Sequence, residues 1–250
     1  MPLPKSNKLK TERADALLTS RGLCDSREQA KRLILAGEVR SGDRLIDKPS
    51  SKLAVDAPLA VKEKPRYVGR GGLKLEGALD AFAIDPQGWV CLDVGASTGG
   101  FTDCLLQRGA LRVHAVDVGT NQLVWKLRND SKVIVKEQFN ARNMVVADLG
   151  ERVRLAVMDL SFISLTKVLP AVFSVLEEAG SVVCLIKPQF ELRREDVGKG
   201  GIVRDEALHQ RAVEKIRHFV SETEGREWRG LIASPITGTD GNQEFLAWIG

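Results

Sequence analysis

Thirteen residues, Trp89-Val-Cys-Leu-Asp-Val-Gly-Ala-Ser-Thr-Gly-Gly-Phe101, constrain this chain most. An apolar run reaches Asp93, turns on glycine and enters a helix-like pattern. That order predicts a buried parallel strand feeding a ligand loop. Gly95, Gly99 and Gly100 let backbone approach a ligand with no Cβ in the way. The N–H groups that open the next helix would face that ligand.

The pattern then repeats. Strand-like apolar runs fall at 90–94, 112–116, 133–137, 155–158 and 182–186, and helical spacing at 101–107, 121–127, 166–176 and 206–220. Alternation of this kind predicts an α/β fold, with a parallel sheet covered on both faces. Ligands bind such sheets beyond the carboxyl ends of the strands. The residues in that position are 93–100, Asp117, Phe139-Asn140, Asp159 and Lys187-Pro188. The last two strand-like runs, 226–233 and 245–249, have no helix between them and should pair antiparallel. A parallel sheet with an antiparallel terminal hairpin resembles the Class I (Rossmann-like) methyltransferase fold more than a dehydrogenase.

The loop chemistry bears on the same choice. A dinucleotide site wants G-x-G-x-x-G, and Gly95-Ala-Ser-Thr-Gly99-Gly100 lacks the middle glycine. S-adenosyl-L-methionine carries no phosphate; it needs a loop for its methionine part and an acid for its ribose hydroxyls. Asp117, about 20 residues on, is placed for the ribose of either cofactor class. The expected cofactor residues are Asp93, Gly95, Ala96, Ser97, Thr98, Gly99, Gly100, Phe101, Asp117, Asn140 and Asp159. On this loop alone, a nicotinamide dehydrogenase stays open.

Charge sets the N-terminus apart. Residues 1–64 hold 14 Lys and Arg against 9 Asp and Glu, a net of +5 in a chain of net +4. A basic module on a neutral domain points to a polyanion, nucleic acid first. After a polar arm (residues 1–10), Thr11 is expected to cap a helix through Ser20 that Gly22 stops. A second helix starts at Asp25-Ser26 and ends at Gly37, with Lys31 and Arg32 away from its apolar stripe. Arg13-Ala-Asp15, Leu17, Gly22, Ser26-Arg27, Ala30, Ile34, Gly37 and Val39 resemble the S4 RNA-binding domain over residues 11–61. Arg40-Ser41-Gly42-Asp43 departs from the Val-Asn-Gly common there. The resemblance implies a structured RNA partner gripped on its phosphates by Arg13, Arg27, Lys31 and Arg32. The Gly-rich basic stretch 62–72 reads as a linker, with the second domain over 73–250.

Four ionisable residues stand at strand ends or at the domain entrance: Lys74, Asp159, Lys187 and Glu244. Two lysines and two acids on one sheet edge resemble the Lys-Asp-Lys-Glu set of ribose 2′-O-methyltransferases. A ribose hydroxyl is a poor nucleophile and must lose its proton. A lysine serves as base only where its pKa falls from about 10.4 toward neutrality, helped by burial and a second ammonium. On this resemblance Lys187 is the base, Lys74 its neighbour and positioner, Asp159 the orienter beside the sulfonium, and Glu244 the partner of Lys74.

The motifs together resemble one family across almost the whole chain. They are Tyr67-Val-Gly-Arg-Gly-Gly-Leu-Lys-Leu75, Asp93-Val-Gly-Ala-Ser-Thr-Gly-Gly-Phe-Thr102, Asp159-Leu-Ser-Phe-Ile-Ser164, Lys187-Pro-Gln-Phe-Glu191, Gly198-Lys-Gly-Gly-Ile-Val-Arg204 and Gly241-Asn-Gln-Glu244. They are similar to the TlyA family, an S4 domain joined to an FtsJ-like methyltransferase domain. The resemblance implies a bacterial enzyme methylating the 2′-hydroxyl of rRNA cytidines; members were also labelled haemolysins. Arg66, Arg70 and Lys199 join the expected RNA contacts, Lys199 on a glycine loop able to close over RNA.

Other classes find less support. No apolar run approaches the roughly 20 residues of a membrane span, so a membrane-active haemolysin is disfavoured. The basic N-terminus lacks an apolar signal region. Cys24, Cys91, Cys104 and Cys184 form no CxxC pair and the three histidines show no ligand spacing, so a reduced cytoplasmic protein without a metal site is expected. A non-catalytic ribosome-assembly factor is the remaining alternative.

Overall fold

The computed structural model describes residues 10–62 and 65–250. Most of the polar arm (residues 1–9) and positions 63 and 64 of the expected linker lie outside the described residues. The chain divides into two compact units between residues 64 and 65.

The N-terminal unit runs β1 (Thr11–Arg13), α1 (Ala14–Ser20), α2 (Arg27–Leu35), β2 (Val39–Ser41), β3 (Arg44–Leu45), β4 (Lys52–Ala54) and β5 (Leu59–Val61). β1 pairs antiparallel with β4, and β2 pairs antiparallel with β3 and β5. Leu17, Leu18, Ala30, Ile34, Val39 and Ile46 close a small core between helices and strands. Ser26 caps α2 by accepting the Gln29 N–H at 3.2 Å. Gly37 ends α2 at φ +72°, a turn that favours glycine. Thr11 does not cap α1: it lies in β1, opposite Ala54. That pairing joins residues some forty apart, which no local pattern announces.

The larger unit continues with α3 (Gly71–Ala81), β6 (Val90–Val94), α4 (Gly100–Gln107), β7 (Arg112–Val116), α5 (Trp125–Arg128), β8 (Val133–Lys136), α6 (Val146–Leu149), β9 (Val153–Met158), α7 (Leu169–Val175), β10 (Leu176–Ile186), α8 (Pro188–Glu191), α9 (Glu206–His218), β11 (Trp228–Ala233) and β12 (Phe245–Ile249). Its seven-stranded sheet has the order β11-β12-β10-β9-β6-β7-β8. Strands β6 to β10 pair in parallel, and β12 runs antiparallel to both of its neighbours. Successive strand residues serve opposite faces. Leu92, Met158 and Val182 join one core; Cys91, Val157 and Val183 join the other. Both faces are therefore covered, as the continuous apolar runs require. The chain leaves β6 toward β7 and β8, then returns with β9 on the other side of β6. The crevice between β6 and β9 is the switch point where open α/β sheets bind ligands.

The stretch 62–72 is not a linker throughout. Tyr67 is buried in the larger unit's core, the Val68 N–H donates to Asp103 at 2.9 Å, and Gly71-Gly72 open α3. The 121–127 helix shrinks to α5. Asn121 stands at φ +53°, a left-handed conformation that no helix runs through. β10 begins six residues earlier than the apolar run, crossing the polar Glu177-Glu178 and a register shift between Leu176 and Ser181.

Candidate active site

Gly95, at φ +85°, turns the chain off β6 so closely that a Cβ there would stand 2.5 Å from the Asp159 carbonyl oxygen. Only glycine fits, and the loop backbone is pressed against the end of β9. On the other side, a Cβ on Gly100 would stand 2.9 Å from the Gly72 nitrogen, so the start of α4 lies directly on the start of α3. These approaches wall a cavity of about 750 Å³ with Ala96, Ser97, Thr98, Gly100 and Phe101 along one side.

Lys74, Asp159, Lys187 and Glu244 all line that cavity. Lys74 comes from the second turn of α3 and reaches the carboxylate of Glu244, just before β12, at 2.5 Å. Both side chains are nearly sealed, at 9% and 3% exposure. Lys187 ends β10, and its Nζ stands 2.6 Å from Asp159 Oδ1 past the end of β9. Lys187 also donates to Ser161 Oγ at 3.1 Å. Two cations, each with its own acid, therefore face one another's pairs across one pocket at the carboxyl end of the sheet.

Asp93 lies beneath this wall, outside the cavity lining. It is fully buried, and its Oδ2 accepts from Thr102 Oγ1 at 2.7 Å. Its Oδ1 has no partner. Burial pushes its carboxyl up to about 7. Asp117 ends β7 and takes the Ser97 N–H at 2.8 Å and the Gly119 N–H at 2.7 Å. It thus holds the glycine-rich loop, and it and Gly99 stand outside the cavity lining. Asn140 is also outside; its side chain caps the short turn Ala141–Asn143 by accepting the Arg142 N–H.

The expected RNA contacts divide as well. Arg70 lines the cavity, and Gly200 and Gly201 line it where Lys199 does not. Arg66 pairs with Glu76. In the N-terminal unit Arg13 and Arg27 both reach the buried Asp15, at 2.9 and 3.2 Å, while keeping about half of their side chains exposed. Lys31 pairs with Glu28, and Arg32 is exposed with no ion pair among the described residues. The sequence reading assigned no role to Ser161, Phe162, Phe190 or Thr237, all of which line the cavity. Ser161, Phe162 and Phe190 stand in the motifs beside Asp159 and Lys187, and Thr237 in the turn before β12, but polar and aromatic residues next to a strand end do not declare which way they point.

The family model for FtsJ-like methyltransferases matches residues 67–250. The rRNA (cytidine-2′-O)-methyltransferase TlyA of Mycobacterium tuberculosis is 46% identical over 95% of this chain and 89% of its own length. The chain belongs to the TlyA family of FtsJ-like methyltransferases. Its N-terminal residues 12–57 match the S4 domain model. Hemolysin A of Brachyspira hyodysenteriae is 42% identical over 94% of the chain and 98% of that protein. A solved candidate hemolysin from Streptococcus thermophilus has 47% identity and a TM-score of 0.72, covering 96% of this chain and 88% of that one. The glycine loop is therefore that of a methyltransferase and not of a nicotinamide dehydrogenase. No helix among the described residues is long and apolar enough to cross a membrane.

Proposed function

We propose that this methyltransferase moves a methyl group from S-adenosyl-L-methionine to the 2′-hydroxyl of a cytidine in ribosomal RNA, working in the cytoplasm. The two Lys–acid pairs around one cavity carry the reading, and the name of the Mycobacterium tuberculosis relative agrees with it.

The pocket fits the cofactor. The Gly95 turn leaves backbone at the wall where a Cβ would collide, and the partly exposed Asp159 puts a carboxylate on the same cavity. Residues 95–101, Asp159 and Asp117 would hold it, with Asp93 beneath the loop and Asn140 capping the turn that follows β8. When bound, the cofactor supplies an electrophilic methyl on a sulfonium. Lys187 takes the hydroxyl proton as the oxygen gains the methyl. Asp159 and Ser161 fix where its Nζ points. Lys74, anchored by Glu244, steadies the hydroxyl oxygen.

In the N-terminal unit Asp15 fixes the guanidiniums of Arg13 and Arg27 before any RNA arrives. Each keeps donors free for phosphates, and Lys31 and Arg32 extend the basic face. Arg66, Arg70 and Lys199 add contacts on the catalytic unit. The test is transfer of labelled methyl to isolated ribosomal subunits, followed by digestion to nucleosides. The expected product is 2′-O-methylcytidine. A methyl on a base, or no product with cofactor bound, would refute the assignment.

A further inference from the structure

Behind the cavity, the loop after β9, the turn after β10 and helix α9 meet at one carboxylate, Glu191. Its side chain is 2% exposed. Oε1 accepts the Leu165 N–H at 2.8 Å, and Oε2 accepts Ser164 Oγ at 2.5 Å. Lys215 Nζ, from α9, lies 3.0 Å from Oε2 and also donates to the Glu191 carbonyl at 2.7 Å and to Ser164 Oγ at 3.2 Å. Three donors on one buried acid form a closed network. Neutral packing would hold the fold as well; a charge with this many directed partners fixes a position instead.

The same two segments carry the reacting pair on the cavity side. Asp159 and Ser161 begin the β9 loop, and Lys187 begins the β10 turn. On the cavity side, Phe162 of the first segment packs on Phe190 of the second with ring centroids 5.1 Å apart. Lys187 is joined to Glu191 by the single turn of α8, whose first bond runs from the Phe190 N–H to the Lys187 carbonyl at 2.9 Å. A shift of Glu191 relative to Ser164 therefore becomes a shift of Lys187 relative to Asp159.

We propose that Glu191 is a positioning residue for methyl transfer, bolting the 159–165 loop to the 187–191 turn so that Lys187 and Asp159 keep their separation. The inference rests on the reading of Lys187 as base. A glutamine cannot substitute fully: it offers one acceptor oxygen, and its amide N–H groups would face the Lys215 ammonium.

The full chain is compared with its Glu191→Gln and Ser164→Ala variants by steady-state transfer, thermal melting and peptide hydrogen exchange. In Glu191→Gln, kcat should fall about tenfold or more while KM for cofactor and RNA stays within about threefold. Exchange should rise in 159–165 and 187–192 ahead of the rest of the larger unit. Ser164→Ala removes one partner without leaving a buried charge bare. It should lower kcat less, and the double variant should be no slower than Glu191→Gln alone. A kcat within about twofold of the parent in folded Glu191→Gln, or losses in kcat that only track the folded fraction with exchange rising evenly, would overturn the proposal. If the parent chain itself puts no methyl on ribose, the functional reading falls, and the exchange pattern still decides whether Glu191 holds the two loops.

Discussion

Each unit buries an aspartate, and the two acids end in opposite states. Asp15 has no exposed surface, yet its hydrogen bond from Arg13, seconded by Arg27, holds the carboxyl down at about 2. Asp93 is as deeply buried with only a hydroxyl donor, and desolvation pushes it up to about 7. The difference follows use. The N-terminal unit keeps a charge inside because it aims two cations outward. The larger unit keeps beneath its cavity wall an acid that holds its proton up to about pH 7, and places its Lys–acid pairs at the strand ends, where the chemistry is proposed. Burial alone does not decide a carboxylate's state; the donors supplied by neighbouring elements do.

The strongest way to break this comparison is to leave one of the sheet-end charges alone. Lys74→Met strands Glu244 at 3% exposure and should cost about 3–5 kcal/mol in denaturant unfolding, with transfer falling by about 10²-fold or more. Adding Glu244→Leu should recover most of the stability and none of the transfer. Stability regained together with turnover would show the pair to be packing only.

A smaller effect is expected at the N-terminal unit. Arg32→Ala removes an exposed cation with no ion pair among the described residues. Melting should be unchanged, kcat preserved, and the salt slope of RNA binding reduced by about one. An unaltered slope would remove Arg32 from the RNA face.

The mildest effect is on pH. Asp93 holds its proton in the folded state from its ordinary 3.8 up to about 7, so its contribution to stability is lost as pH rises through that window. Asp93→Asn should flatten the decline in melting temperature between about pH 4 and 7. Asp15 acts with the opposite sign, stabilising above 3.8 and losing its effect as pH falls toward 2. Parallel pH profiles for the parent and Asp93→Asn chains would contradict the first half of this contrast.

Much of the larger unit was legible because its strands are continuous apolar runs that stop at an acid or a glycine. Strands β6, β7 and β12 begin and end at the residues the pattern marks. Strand ends in a parallel sheet share one edge, so the grouping of Lys74, Asp159, Lys187 and Glu244 could also be anticipated, with roles supplied by family resemblance. What escaped depends on distant partners. β1 needs β4 to exist, and β10 extends through two glutamates beside β9. Glu191 escaped for the same reason. In the chain it is one acid after Lys-Pro-Gln-Phe, and only the fold brings Ser164, Leu165 and Lys215 to it.

The central claim is that the Lys187–Asp159 and Lys74–Glu244 pairs perform the transfer, and Lys187→Ala tests it most directly. Turnover on ribosomal subunits is measured beside cofactor affinity by calorimetry. Transfer should fall by about 10³-fold, within the range for loss of a general base, with cofactor affinity near that of the parent chain. Turnover retained in a folded Lys187→Ala chain would contradict it.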